Sequence, residues 1–127
     1  MKLDLIQNNL KGMEDLATAV LVCDENLIIK HINPSAEILF EISHEKVVNK
    51  NISLFFEEVE FFKDALNQAK SKQSSYREHE YFIKTKQSKT ICVSFTISPI
   101  EHKEFDFIVE FIQMDQQLRV AREERMF

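Results

Sequence analysis

The side chains that most often carry chemistry, histidine and cysteine, are few and widely spaced in this chain. The segment from His44 begins as His-Glu-x-x, but Val48 stands where a zinc protease needs its second metal-binding histidine. Neither Cys23 nor Cys92 belongs to a Cys-x-x-Cys pair, so their spacing predicts plain buried thiols. A pairing of one cysteine with a histidine in space stays open, but the motifs predict no metal site.

Motifs that handle phosphate are also missing. Gly12 is the single glycine, so the chain has no glycine-rich loop that could cradle a nucleotide. His79-Glu80 begins like the phosphoacceptor box of a histidine kinase, but it lies in a predicted strand and lacks the following Asn-Pro. The chain also lacks a Gly-x-Ser-x-Gly motif. We therefore expect that this chain is not itself an enzyme, and a small enzyme of unrelated α+β fold is an alternative that no motif supports.

The composition is that of one globular domain. The chain has 127 residues, of which 44% are hydrophobic and 29% are charged. Its net charge of −5 argues against nucleic acid as a partner, because such binding depends on Lys and Arg. No apolar run approaches the roughly 18–20 residues of a membrane helix, and the N-terminus lacks the apolar core of a secretion signal. We expect a cytoplasmic protein that has no membrane partner.

The best-marked structural elements lie between residues 19 and 40. Residues 19–24 form an apolar strand pattern, and a short polar turn leads to a second strand at residues 27–32. Asn33 then provides a helix N-cap and Pro34 fits the first helical position, so a helix is predicted through Phe40. Lys30 and His31 interrupt the second strand, which places at least one of them toward water or a partner.

The remainder of the chain predicts further helices followed by three strands. Ser43 caps a short helical turn, Asn49 suits a left-handed backbone, and a longer helix spans residues 57–70. The strands at residues 76–85, 89–98 and 105–111 are joined by short polar connectors, which predicts an antiparallel meander. The first of these strands is the most polar and suits a sheet edge. In the last strand, alternation puts four side chains on one face: Phe105, Phe107, Val109 and Phe111.

The apolar strand followed by the Asn33-Pro34 corner, Asn-Pro-x-Ala-Glu, resembles the first half of a PAS sensor domain. The resemblance continues through the chain, and it implies an α+β fold: a five-stranded antiparallel sheet with helices on one face. The flanking segments, Leu-Ala-Thr-Ala-Val at residues 16–20 and Met-Asp-Gln-Gln-Leu-Arg at residues 114–119, resemble the sensor domain of nitrogen-regulation histidine kinases of the NtrB/GlnL type.

Two segments flank the predicted PAS domain of residues 18–114. Residues 1–17 form an N-terminal amphipathic helix with an apolar stripe that is expected to contact a second copy of the chain: Leu3, Ile6, Leu10 and Met13. The alternative is a helix packed on its own sheet. Residues 115–127 are polar and favour a helix, with Asp115 as N-cap, and Asp115 and Leu118 are expected at the junction to an output helix.

The resemblance also implies partners and bears on cofactors. It implies a homodimer joined to the kinase core of the same polypeptide, in a parent protein that acts with a response regulator and a PII signalling protein. Flavin is not expected because the reactive Asn-Cys-Arg-Phe run is missing, and haem is not expected because residues 57–70 contain no histidine. The alternative function is a metabolite-binding PAS domain, with Lys30, His31 and Tyr81 as candidate ligand contacts. The signal itself is not readable from the sequence.

Overall fold

The fold is a five-stranded antiparallel sheet with helices on one face, which confirms the predicted fold class. The structure, a computed structural model, describes residues 18–87, 89–103 and 105–114. The elements, in chain order, are β1 (Ala19–Cys23), β2 (Ile29–Ile32), α1 (Pro34–Phe40), α2 (His44–Val47), a 3-10 helix (Ile52–Leu54), α3 (Glu60–Lys72), β3 (Tyr76–Lys84), β4 (Thr90–Pro99) and β5 (Phe107–Gln113). The predicted N- and C-terminal helices lie outside the described residues.

The strand order is β2-β1-β5-β4-β3, so the polar strand β3 lies at an edge as predicted. Strand β1 lies between β2 and β5, and all five of its residues are buried, which agrees with its continuous apolar sequence. Strand β4 alternates buried and half-buried residues and ends at Pro99, where the missing N–H does not interrupt the pairing. Among the described residues, no helix is long and apolar enough to cross a membrane.

Phenylalanine rings fill the space between the helices and the sheet. Phe40 of α1 lies with its ring centroid 4.9 Å from Phe56 and 5.0 Å from Phe111 of β5. Phe62 of α3 stacks 5.1 Å from Phe95 of β4. These separations are typical of favourable aromatic pairs. Ring contacts in the core therefore join α1 to β5 and α3 to β4.

The long helix α3 begins at Glu60 rather than at residue 57, so its predicted start was wrong by one turn. The residues just before Glu60 instead contact the end of β3 and the residue that follows it. Phe56 bridges Thr85, and the Glu57 amide donates to the Lys84 carbonyl at 2.7 Å. Glu58 then adopts a left-handed backbone with φ of 55°. The predicted left-handed Asn49 is confirmed, with φ of 66°.

The structure also differs from the sequence-based expectation at Phe105. Alternation placed it on the same face as Phe107, but β5 begins only at Phe107, and Phe105 packs with Val20 and Val22. These two valines alternate with the β1 residues that face the helices, so Phe105 covers the opposite face of the sheet. The segment before β5 is fixed by its backbone, since the Asp106 amide donates to the Cys23 carbonyl at 3.0 Å.

Candidate functional site: the junction of β1, β5 and α1

The fully buried side chain of Asn33 connects the start of α1 to the start of β1. Its Oδ1 accepts from the Ala36 amide at 3.0 Å, which is the predicted helix cap. The same oxygen accepts from the Val20 amide at 2.9 Å, and Nδ2 donates to the Thr18 carbonyl at 2.8 Å. The sequence indicated the cap but neither the contact with Val20 of β1 nor the contact with Thr18 just before that strand. Asn33 therefore fixes the helix and the strand to each other.

The first and last described residues, Thr18 and Met114, both lie at this junction. Ala19 at the start of β1 pairs with Phe111 near the end of β5, so Thr18 and Met114 lie at the same end of two neighbouring strands. The Met114 amide donates to the Cys92 carbonyl of β4 at 2.9 Å, which holds the exit of the chain against the sheet. The residues assigned to dimer contact and signal output lie outside the described residues: Leu3, Ile6, Leu10, Met13, Asp115 and Leu118.

An open groove of about 440 Å³ lies beside this junction, between α1 and the end of β5. Its walls include Thr18, Ser35 and Leu39. Two apolar side chains at its border are strongly exposed, Ile38 at 79% and Ile112 at 55%. The groove therefore presents apolar surface at the place where both flanking segments join the domain.

Aromatic side chains pack closely around Tyr81, between α3 and the sheet. A cavity of about 10 Å³ lies among Phe56, Phe62 and Tyr81, close to the smallest space that holds one water molecule. Burial raises the pKa of the Tyr81 hydroxyl above its ordinary value, and the charges of Glu58 and Glu78 raise it further. Tyr81 therefore stays protonated and packs as an aromatic ring, stacked on Phe61 with centroids 4.6 Å apart.

The structure does not bring the three candidate ligand contacts together. Lys30 and His31 belong to β2 at one edge of the sheet, whereas Tyr81 belongs to β3 at the other edge. Three strands lie between them, which corresponds to roughly 19 Å at about 4.8 Å per strand. One small polar ligand cannot contact all three side chains at that separation.

Instead, His31 contacts His44, a pair that the sequence reasoning missed. Nδ1 of His31 lies 3.3 Å from Nε2 of His44, and the rings meet edge to face with centroids 5.0 Å apart. The two residues are 13 positions apart, on β2 and α2, and both are half-buried. No spacing motif signals such a contact, because it depends on how α2 returns to the sheet edge.

The two cysteines lie in different environments and are not bonded to each other. Cys23 is fully buried, and burial raises the pKa of its thiol to about 12, with smaller contributions from Asp24 and Asp106. Cys92 is half-buried, with its Sγ 4.0 Å from a carboxylate oxygen of Glu80. Within residues 18–87, 89–103 and 105–114, no group of three or more His, Cys, Asp or Glu side chains is arranged to hold a metal ion.

Similarity to known proteins agrees with this architecture. The sensory histidine kinase/phosphatase NtrB of Vibrio alginolyticus is 27% identical over 112 residues, covering 87% of this chain and 32% of the relative. The chain thus spans about a third of the length of that protein. The solved PAS domain of nitrogen regulation protein NR(II) from Vibrio parahaemolyticus superposes with a TM-score of 0.68 at 22% identity, covering 80% of this chain and 94% of that one.

A PAS domain of a Colwellia psychrerythraea protein superposes with a TM-score of 0.73 at 15% identity, covering 87% of this chain and 97% of that one. At such identities, the two solved structures establish the fold. The family model described as PAS domain matches residues 17–116, which is most of the chain. The order of strands and helices, the capped corner at Asn33 and this match lead to one conclusion: the chain belongs to the PAS domain family.

Proposed function

We propose that this PAS domain is the sensor and dimerisation module of a two-component histidine kinase that acts in nitrogen regulation. The observation that carries the proposal is the junction at Asn33, where one buried side chain holds α1 and β1 beside the two points at which the flanking segments join. Similarity to the NtrB protein of Vibrio alginolyticus supports a kinase as the parent protein.

In this proposal, two copies associate through the N-terminal segment and the sheet face that points away from the helices. The dimer then fixes the distance between the two output segments that begin at Asp115. A change in core packing shifts α1 relative to β1 through Asn33, and this shift biases the output segments between two arrangements. The adjacent ends of β1 and β5 support the idea, because both flanks respond to the same displacement.

The outer face of the sheet supports association with a second copy. Phe82 of β3 and Ile112 of β5 point away from the helices, and their exposed fractions are 51% and 55%. Phe82 pairs with Cys92 of β4, and Ile112 pairs with Ser94, so the two apolar side chains flank the same strand. Exposed apolar side chains arranged in this way are common at protein interfaces.

The proposal assigns no tightly bound cofactor to this domain. The ring contacts of Phe40, Phe62 and Phe95 support this assignment, because they occupy the space between the helices and the sheet. The signal would then reach the domain by contact with another protein or with the rest of the kinase. We further propose a cytoplasmic parent protein that acts with a response regulator and a PII signalling protein.

Sedimentation velocity over a wide range of protein concentration tests the dimer. We expect a dimer for the 127-residue chain, and mainly monomer for Ile6→Asp and Leu10→Asp, because a charge in an apolar contact is costly. The matched control is Asn8→Asp, which adds the same charge outside the stripe and should leave the dimer intact. A chain that stays monomeric at every concentration, or a dimer unchanged by both substitutions, contradicts this part of the proposal.

The reading frame that follows Phe127 tests the output. We expect it to continue into a helical segment with a phosphoacceptor histidine and then a nucleotide-binding domain. A DNA-binding or cyclase domain in that position would contradict the kinase assignment. A melting-temperature screen with small metabolites tests the alternative, since a specific rise in melting temperature would identify a metabolite-binding PAS domain.

A further inference from the structure

We propose that His31 and His44 form a two-histidine binding site for a divalent transition-metal ion, with Zn²⁺ as the representative ion. The site lies where α2 meets the edge strand β2. The inference does not depend on the proposed role in nitrogen signalling, because it concerns only the described residues of this domain. It also goes beyond the sequence motifs, which predicted no metal site.

The distance between the two nitrogens fits a shared metal ion. Nδ1 of His31 and Nε2 of His44 are 3.3 Å apart. Two imidazole nitrogens that each lie 2.0–2.1 Å from a tetrahedral Zn²⁺ are separated by about 3.3–3.4 Å. In the hydrogen bond, one of these nitrogens carries the proton and the other accepts it. Once that proton has moved to the other nitrogen of its own ring, a rotation of the rings would direct both lone pairs to one ion. The metal would then replace the hydrogen bond that joins the rings.

Both histidines are presented by ordered elements in a fixed orientation. His31 pairs with Val22 across the β1–β2 ladder, and its Nε2 is buried, so Nδ1 is the nitrogen that faces His44. His44 is the first residue of α2, and its amide donates to the Glu37 carboxylate at 3.0 Å. Ligands held in place before binding lose little conformational freedom when the ion arrives.

The chemistry of the two ligands selects the class of metal. Imidazole nitrogen suits Zn²⁺, Cu²⁺ and Ni²⁺, whereas Mg²⁺ and Ca²⁺ prefer oxygen. The residues described around the pair supply no third ligand, so water molecules complete the coordination. Affinity is consequently weaker than at structural zinc sites, which have four protein ligands. The bound ion would link β2 to α2 and stabilise the folded state, since it binds the native arrangement.

Isothermal titration calorimetry with ZnCl₂ tests the site on the untagged 127-residue chain. We expect saturable binding of one ion per chain and no binding of Mg²⁺. The His31→Gln and His44→Gln variants should each bind Zn²⁺ more than about tenfold more weakly, since even the loss of an outer partner of a ligand costs that much. The matched control is His79→Gln, because His79 is exposed on β3 and should contribute nothing.

A second measurement keeps the test decisive if either variant folds poorly. In the unsubstituted chain, long-range ¹H–¹⁵N spectra of the imidazoles should show Zn²⁺-dependent shifts of Nδ1 of His31 and Nε2 of His44. The inference is overturned if Zn²⁺ fails to bind saturably at millimolar concentration. It is also overturned if both folded glutamine variants retain full affinity, or if only His79 and His102 signals respond.

Discussion

The two faces of the sheet contrast in how completely they are covered. On the face toward the helices, the side chains of β4 are buried among aromatic rings: Ile91, Val93, Phe95 and Ile97. On the opposite face, the alternate residues of the same strand are half-buried: Cys92, Ser94, Thr96 and Ser98. A separate small cluster of Val20, Val22 and Phe105, with Ile100 and Ile108 packed against it, covers part of that face.

This difference assigns different physical roles to the two faces. Contacts on the helix side supply most of the buried apolar area, which is the main source of folding free energy. The outer face contributes less to stability but leaves Phe82 and Ile112 exposed for contact with another surface. Substitutions on the helix side should therefore alter folding, whereas substitutions on the outer face should alter association.

The largest expected difference between the two faces is in the reactivity of the two cysteine thiols, which lie on opposite faces of the sheet. Cys23 is buried on the helix side and its thiol pKa is raised to about 12, so at pH 8 it stays protonated, whereas the reactive species is the thiolate. It should react with Ellman's reagent only when the domain opens, more than about a thousandfold more slowly than in the unfolded chain. The Cys92→Ser variant isolates this slow thiol. If the remaining thiols of Cys92→Ser and Cys23→Ser react with Ellman's reagent at equal rates, the proposed contrast between the two faces is wrong.

The next largest effect is expected from two phenylalanines on neighbouring strands. Phe95 is buried on the helix side, with its ring 5.1 Å from Phe62 and 5.6 Å from Tyr81. Phe95→Ala should lower the free energy of unfolding by about 3–5 kcal/mol, because it leaves a cavity among these rings. Phe82→Ala on the outer face should lower it by only about 1 kcal/mol, because about half of this side chain is already exposed. Urea unfolding measures both values, and similar losses would contradict the proposed division of roles.

Sequence periodicity predicted which β4 residues face the helices. In a regular strand, successive side chains point to opposite faces of the sheet, so apolar alternation identifies the buried face. It failed at Phe105, where the strand had not yet begun, and at the start of α3, where the Glu57–Lys84 backbone contact overrides local helix propensity. Both errors come from contacts between residues that are distant in sequence. Local patterns carry no information about such contacts.

At the candidate site, too, contacts between residues close in sequence were predictable, whereas contacts between distant residues were not. The cap by Asn33 was predictable because the Asn-Pro pair acts on the next residues of the chain. Its bonds to Thr18 and Val20 were not, since they require β1 to pass beside α1. The separation of His31 from Tyr81 and its contact with His44 also follow from the order of strands, which composition and spacing do not specify.

A smaller loss of stability is expected for a substitution of Asn33, whose side chain connects the start of β1 to the start of α1. Asn33→Ala should lower the free energy of unfolding by about 2–4 kcal/mol, because the Val20 amide and the Thr18 carbonyl lose their side-chain partner and α1 loses its side-chain cap. Asn51 offers a matched control, since its side chain accepts from the Ser53 amide at 2.9 Å and donates to the Asn26 carbonyl at 3.0 Å. Asn51 is only half-buried, so Asn51→Ala should cost about 1 kcal/mol. Equal costs would show that burial of the Asn33 cap adds nothing.

The smallest change in stability is expected at Ile112, although its expected effect on association is clear. Ile112→Thr should alter the free energy of unfolding by less than about 0.5 kcal/mol, because more than half of this side chain is exposed. The same substitution should weaken the dimer measured by sedimentation, since it replaces apolar contact area with a hydroxyl. Ile108 provides the matched control on the same strand and face.

Ile108 packs against the cluster of Val20 and Val22, so Ile108→Thr should destabilise the fold more than Ile112→Thr does. The two variants therefore distinguish packing of the outer face within one chain from contact of that face with a second chain. If Ile112→Thr lowers stability as much as Ile108→Thr and leaves the dimer unchanged, the outer face acts as an ordinary surface of the fold. If it weakens only the dimer, the two faces have the separate roles that their burial indicates.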